Sequence, residues 1–208
     1  MSFISKEKKK FLENAFGENL GELLAIKVAE YQNKFDEFKK DPVKIKENFK
    51  DFRSDTEFFS SLLTGWLTED LMQEYLNEKI YPDKIELDGV DSERSFSQKN
   101  VLANPDYKVL SQENSVLGYI EMKTWISIKK DVFLKEYSVN HVKEKNGLFL
   151  YYFLKEEKIL LLSYPQILQF KKIQKWKKPG FLITSQYMER KAKDIKNFKK
   201  FDLFKFYE

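Results

Sequence analysis

The chain has 208 residues, with 37 Lys/Arg against 33 Asp/Glu, one histidine and no cysteine. That excludes a disulfide framework, a thiolate zinc site, an iron–sulfur cluster and a cysteine nucleophile, and His141 alone builds neither a multi-histidine metal site nor a ready triad. At 42% hydrophobic and 34% charged residues the chain can bury a core, and its length suits one domain.

No apolar run approaches the ~20 residues that span a bilayer. Met1–Lys10 is charged and no apolar stretch follows it, so it does not read as a secretion signal. The expectation is a soluble, cytoplasmic protein with no membrane partner. Its charge is uneven: from Pro165 to Glu208 there are 12 Lys/Arg and 4 Asp/Glu, a net of +8 against +4 for the whole chain. Trp176, Phe181, Tyr187, Phe198, Phe201 and Phe204 are interleaved there. Such a segment suits a polyanion, or is the solvated face of a packed helix.

With 7 Gly and 5 Pro, most of the chain must lie in regular elements. Residues 6 to about 50 read as helical. Leu20, Leu23, Leu24, Val28, Tyr31, Phe35 and Phe38 form a helical stripe, and Asp41-Pro42 breaks it and opens a second helix through Phe49. A long helix is expected from about Asp55 to Lys79, where Phe59, Leu62, Leu63, Trp66, Leu67 and Leu71 recur every three or four residues. After Pro82 the pattern changes. Ile85–Leu87, Tyr107–Leu110, Val116–Trp125 and Asp131–Lys135 read as strands, with a polar loop over Asp88–Lys99 and a turn at Ser111–Ser115. A helix over Val139–Lys145, strands over Leu148–Leu154 and Ile159–Ser163, and a Pro-started helix over Pro165–Lys172 complete the prediction. This order gives an α/β fold, a central mixed β-sheet flanked by helices. Residues 1–54 read as an N-terminal helical extension and 55–208 as the α/β core with its basic C-terminal segment, one domain overall.

Chemistry concentrates at Pro105-Asp106 and Glu121-Met122-Lys123. Glu-x-Lys alone carries little, since it recurs at Glu7, Glu37, Glu156 and Glu189. The apolar strand Val116–Ile120 in front of Glu121 is what sets this copy apart, because charges inside such a strand are costly unless they serve a purpose. Glu121 and Lys123 share a face by strand alternation. If Tyr107–Leu110 pairs with Val116–Met122 across a loop of two or four residues, Asp106 lies opposite Glu121, about 5 Å away. An odd loop shifts that register by one. Two facing carboxylates repel unless a cation lies between them. With the Met122 carbonyl they make a hard oxygen set suited to Mg²⁺ or Mn²⁺, and Lys123 can stabilise charge on a phosphate in flight. The alternatives are a structural cross-strand salt bridge, or a first acid supplied by Pro82-Asp83 with Glu86 or Asp88 near it.

Pro105-Asp106…Glu121-Met122-Lys123 resembles the motif of the PD-(D/E)xK nuclease superfamily, which includes restriction enzymes and archaeal Holliday junction resolvases. Thr68-Glu69-Asp70-Leu71-Met72-Gln73-Glu74-Tyr75-Leu76 is similar to a stretch of small bacterial nuclease-like proteins, and Val132-Phe133-Leu134-Lys135 with the elements after it is similar in order to the resolvases. The resemblance covers about residues 60–170. It implies a restriction-endonuclease-like core and a Mg²⁺- or Mn²⁺-dependent deoxyribonuclease, endonuclease ahead of exonuclease. Asp106, Glu121 and Lys123 would be catalytic, Glu69 would be the helix acid, and Asp106, Glu121, Glu69 and the Met122 carbonyl would hold metal. The helical wheel itself puts Asp70 and Glu74 inside the apolar stripe and Glu69 at its edge, so all three acids stay in play there. Candidate DNA contacts are Lys129, Lys130, Lys175, Lys177 and Lys178. A junction substrate would call for a homodimer. The competing expectation is a nucleic-acid-binding protein of the same fold without catalysis.

Overall fold

The computed structural model of the chain describes residues 1–49, 52–89, 92–96, 104–175 and 177–207. Ser5 opens α1 (Lys6–Phe38) by accepting the Lys8 N–H at 3.2 Å. Leu12, Phe16, Leu24, Tyr31, Phe35 and Phe38 are buried along one side of that helix. It bends at Leu20 (φ −126°, ψ 21°), which lies between Gly17 and Gly21. A short α2 (Pro42–Phe49) follows the Asp41-Pro42 break. At α3 (Asp55–Ile80), Ser54 and Glu57 satisfy each other's backbone N–H groups in a capping box. The Phe59–Leu71 stripe turns inward against α1, so the first helix is part of the core rather than an appendage.

The sheet grows from the strands predicted after Pro82. β1 (Lys84–Leu87), β2 (Tyr107–Leu110) and β3 (Val116–Trp125) form an antiparallel meander. The chain then passes through β4 (Val132–Lys135) and α4 (Glu136–Glu144) before β5 (Gly147–Phe153) pairs parallel to β3. β6 (Lys158–Ser163) and the short β9 (Lys193–Asp194) complete a mixed six-stranded sheet in the order β1-β2-β3-β5-β6-β9. β5 is buried throughout except at its first residue, as a near-continuous apolar run predicts for a central strand. Leu148, Leu150 and Tyr152 face α1 and α3, while Phe149, Tyr151 and Phe153 face a second core.

That second core shows where the sequence reading fell short. The predicted helix over 165–172 lasts one turn, as α5 (Tyr164–Ile167), and Lys171–Lys175 is strand β7. Backbone pairing with β8 (Lys178–Ile183) overrides the local pattern. β4, β8 and β7 make a second, three-stranded antiparallel sheet. With α4 and α6 (Ser185–Lys191) it covers the far face of the large sheet through Leu134, Val139, Phe181, Ile183 and Met188. The basic C-terminal quarter is therefore a β-hairpin plus short helical turns ending in α7 (Lys200–Phe204), not a long lysine-faced helix. Of its aromatics, Phe181 and Phe198 are core residues and Phe201 is exposed, while Trp176 lies outside the described residues. No helix among the described residues is long and apolar enough to cross a membrane.

Gly118 in β3 allows one close approach. A Cβ there would run into the Tyr207 ring and sit 2.6 Å from the Asn146 carbonyl oxygen. Gly118→Ala should cost about 1–3 kcal/mol, because a backbone carbonyl gives way less readily than a side chain. Chemical denaturation checks this, and an unchanged midpoint would mean that neither the Asn146 carbonyl nor the Tyr207 ring is fixed against β3.

Candidate active site

The β2–β3 ladder runs Tyr107–Ile120, Lys108–Tyr119 and Val109–Gly118, then slips to Leu110–Val116. The connecting loop, Ser111–Ser115, is odd in length, with Asn114 at φ 60° in the left-handed region. A bulge between Val109 and Leu110, with Leu117 as the extra residue, restores the register that an even loop would have set. Asp106 is the next residue out and stands opposite Glu121. Its carbonyl accepts the Asp88 N–H at 2.9 Å, so its backbone faces β1 rather than β3. The chain bends at Asp106, one residue past the ladder, and its side chain turns to the β3 edge close enough to Glu121 for the two charges to repel. Asp88 extends the same row by one strand. Its carboxylate accepts from Asn104 Nδ2 at 2.9 Å.

Asp106 Oδ2 accepts the Met122 N–H at 2.7 Å. In a strand the N–H and C=O of one residue point the same way, so the Met122 carbonyl also faces the β2 edge. The ladder stops short of it, at Tyr107–Ile120, and the chain bends at Asp106, so no β2 N–H is in register with that carbonyl. The end of the ladder thereby leaves a backbone acceptor beside Asp106 and Glu121. Lys123, on the Glu121 face, is ion-paired to Glu121.

The charges explain the titration shifts. Burial pushes the Asp106 carboxyl well above its ordinary range, and Glu69 and Glu121 add repulsion that Lys123 and the Met122 N–H only partly offset. Burial works against the Lys123 ammonium, but the Asp106 and Glu121 carboxylates outweigh it and raise its pKa. This cluster of carboxylates is short of positive charge.

The acids of α3 sort by partner. Asp70 lies in the interior, as its wheel position predicts. It accepts the Tyr31 hydroxyl at 2.5 Å and is held by Arg94 Nη2 at 2.6 Å and Nε at 3.1 Å. Glu74, expected inside the apolar stripe, is exposed because the buried side of α3 drifts past it, through Leu71, Met72, Tyr75 and Leu76. Glu69 sits between these extremes. One oxygen binds Arg94 Nη1 at 2.8 Å, its backbone carbonyl accepts the Tyr107 hydroxyl at 2.8 Å, and its charge reaches Asp106. Asp83, the alternative first acid, is ion-paired to Lys200, and Glu86 is held by Lys84 and Lys108.

Arg94 is the residue the sequence reading missed. It is 7% exposed and also lies over the Trp66 ring at 5.6 Å. A signal was present: lysine is the ordinary cation here, and Arg94 is one of 3 arginines in the chain. A scarce, planar, multidentate donor between two carboxylates is what arginine supplies and lysine does not.

A cleft of about 600 Å³ opens beside these groups, lined in part by Glu69, Met122 and Lys123. Of the candidate DNA contacts, Lys130 lines it too, Lys129 is exposed next door, and Lys175, Lys177 and Lys178 stand exposed on the β7–β8 hairpin. Among the described residues no group of three or more Asp, Glu or His side chains is gathered tightly enough to hold an ion by itself. The residues here that could hold a divalent cation are Asp106, Glu121 and the Met122 carbonyl, all hard oxygen donors. Comparison of the chain with protein-family models, with curated proteins and with solved structures finds no match.

Proposed function

We propose that the protein is a metal-dependent nuclease that hydrolyses DNA phosphodiester bonds, endonucleolytic ahead of exonucleolytic, on a restriction-endonuclease-like core of the PD-(D/E)xK type. The observation that carries this reading is the facing pair Asp106 and Glu121 with Lys123 on the same strand face. The sequence of helix α3, the β1–β3 meander, β4, α4 and a parallel β5 supports it, as the order the motif resemblance implies. Asp106, Glu121 and the Met122 carbonyl would hold Mg²⁺ or Mn²⁺, which supplies Lewis-acid stabilisation of the phosphate when bound. Lys123 is placed to neutralise charge on the scissile phosphate and to orient the attacking water, and Glu121 keeps that ammonium in position. Glu69 closes the site from α3 and is itself restrained by Arg94.

The test is cleavage of a panel of plasmid, single-stranded, linear duplex and four-way-junction DNA with Mn²⁺. Asp106→Ala and Lys123→Ala should each lower the rate by about 10²–10³-fold while retaining the fold. Undiminished cleavage by either variant would falsify the assignment. The exposed lysines of the β7–β8 hairpin favour a second reading, DNA binding without hydrolysis. Millimolar Mn²⁺ separates the two, since only a metal site gains thermal stability from it by mass action.

A further inference from the structure

The cleft beside the site carries an inference about substrate, and it rests on the nuclease reading only for where the cut falls. The cleft runs from Lys123 along the end of β3 to the first turn of α1, and Lys8, Thr64, Trp125, Ile126 and Lys130 line it. Trp125 and Ile126 are 40% and 52% exposed, which is unusual for large apolar side chains that continue a central strand. They are not loose. The Trp125 and Ile126 carbonyls accept the Leu154 and Lys155 N–H groups at 2.9 Å each, and Glu156 anchors the next turn through Ser127 and the Ile128 N–H. Two ammonium groups flank this platform. No carboxylate among the described residues pairs with Lys8 or Lys130. Burial holds the Lys8 pKa below its ordinary value. On the α3 wall, Thr64 is 4% exposed and its hydroxyl has no hydrogen-bond partner.

An aromatic platform and two cations lining one cleft, leading to a candidate phosphodiester site, fit one kind of occupant. We infer that this cleft binds an unpaired DNA strand next to the cut. A base stacks on Trp125, and Lys8 and Lys130 meet phosphates on either side. The cleft falls in the ~300–1,000 Å³ range of small-ligand sites, room for a nucleotide or two but not for a duplex. The substrate would then be a single strand, or a duplex with a frayed or overhanging end.

The experiment is anisotropy titration of a labelled oligothymidylate, and of its blunt duplex, in EDTA, where no cleavage occurs. The single strand should bind at least about tenfold tighter than the duplex. Trp125→Ala should weaken single-strand binding by about tenfold or more, Trp125→Phe should restore most of it, and neither should move the duplex value, because stacking is lost only from the unpaired strand. Lys8→Ala and Lys130→Ala should each flatten the salt dependence by about 0.7 in log–log slope. Circular dichroism establishes that each variant is folded. Equal or tighter binding of the duplex, or a Trp125→Ala protein that binds the single strand normally, overturns the inference. Strand binding as described in a protein that never cleaves with Mn²⁺ would refute the nuclease reading and leave the groove standing. Mn²⁺-dependent cleavage with no Trp125 dependence would do the reverse.

Discussion

Arg94→Ala should lose about 3–5 kcal/mol of stability, the scale for breaking a buried ion pair from one side. Arg94 spans Glu69 and Asp70 through three hydrogen bonds of 2.6–3.1 Å, and Asp70 is 6% exposed. Burial opposes the guanidinium charge, yet the two carboxylates raise its pKa further, so it stays charged at any working pH. Its removal strands Asp70 in the interior with Tyr31 and Lys27 as remaining partners, Lys27 at 3.3 Å. Arg94→Lys should recover little, because one ammonium does not reproduce the fork. Asp70→Asn in the Arg94→Ala background should recover part of it, since it removes a buried charge left with Lys27 alone to balance it. Urea melts of the parent, Arg94→Ala, Asp70→Asn and the double variant form a double-mutant cycle, and strict additivity would show that the pair is not coupled. The loss extends to the site. Glu69 would be freed of its restraint, and its repulsion of Asp106 would grow.

How far all this was legible in the sequence depends on how local the determining interaction is. The long helices and the strands of the large sheet follow from short-range periodicity, which is why Asp55–Ile80 and β2, β3, β5 and β6 fall within a residue or two of the expected spans. The facing of Asp106 and Glu121 was reached by assuming an even loop. The loop is odd, and a bulge at Leu117 corrects it, a compensation that no local pattern announces. Lys171–Lys175 became a strand only because β8 pairs with it, and the tie from Arg94 to α3 spans 24–25 residues through a polar loop. Glu74 shows a related limit: the wheel gives the period of a helix but not the drift of its buried side, which passes Glu74 on its way to Tyr75 and Leu76. Composition did carry one unread signal, the rarity of arginine, and exposed Trp125 was unreadable without the sheet that leaves it uncovered.

Asp106→Asn should remove activity and yet make the metal-free protein more stable at neutral pH. Burial and the Glu69 and Glu121 charges raise the folded-state pKa of Asp106 above its unfolded value. The sign follows from linkage. The protonated carboxyl is the form the fold prefers, so its contribution is complete below the unfolded pKa and is lost as pH rises through the folded one. At neutral pH the ionised group therefore costs stability, on the order of 1 kcal/mol per neighbouring carboxylate at a water-like dielectric. Asparagine carries no charge and its Oδ1 can still accept the Met122 N–H. The variant should melt higher than the parent in EDTA at pH 8, and the gap should close as pH falls towards 4. Added Mn²⁺ should invert the order, stabilising the parent, whose carboxylates gain the counter-charge they lack, and leaving the variant unmoved. A parent that melts higher at pH 8 without metal would mean that Asp106 is a satisfied ion-pair partner of Lys123. The site would then be a cross-strand salt bridge, and the charge imbalance on which the nuclease reading rests would be gone.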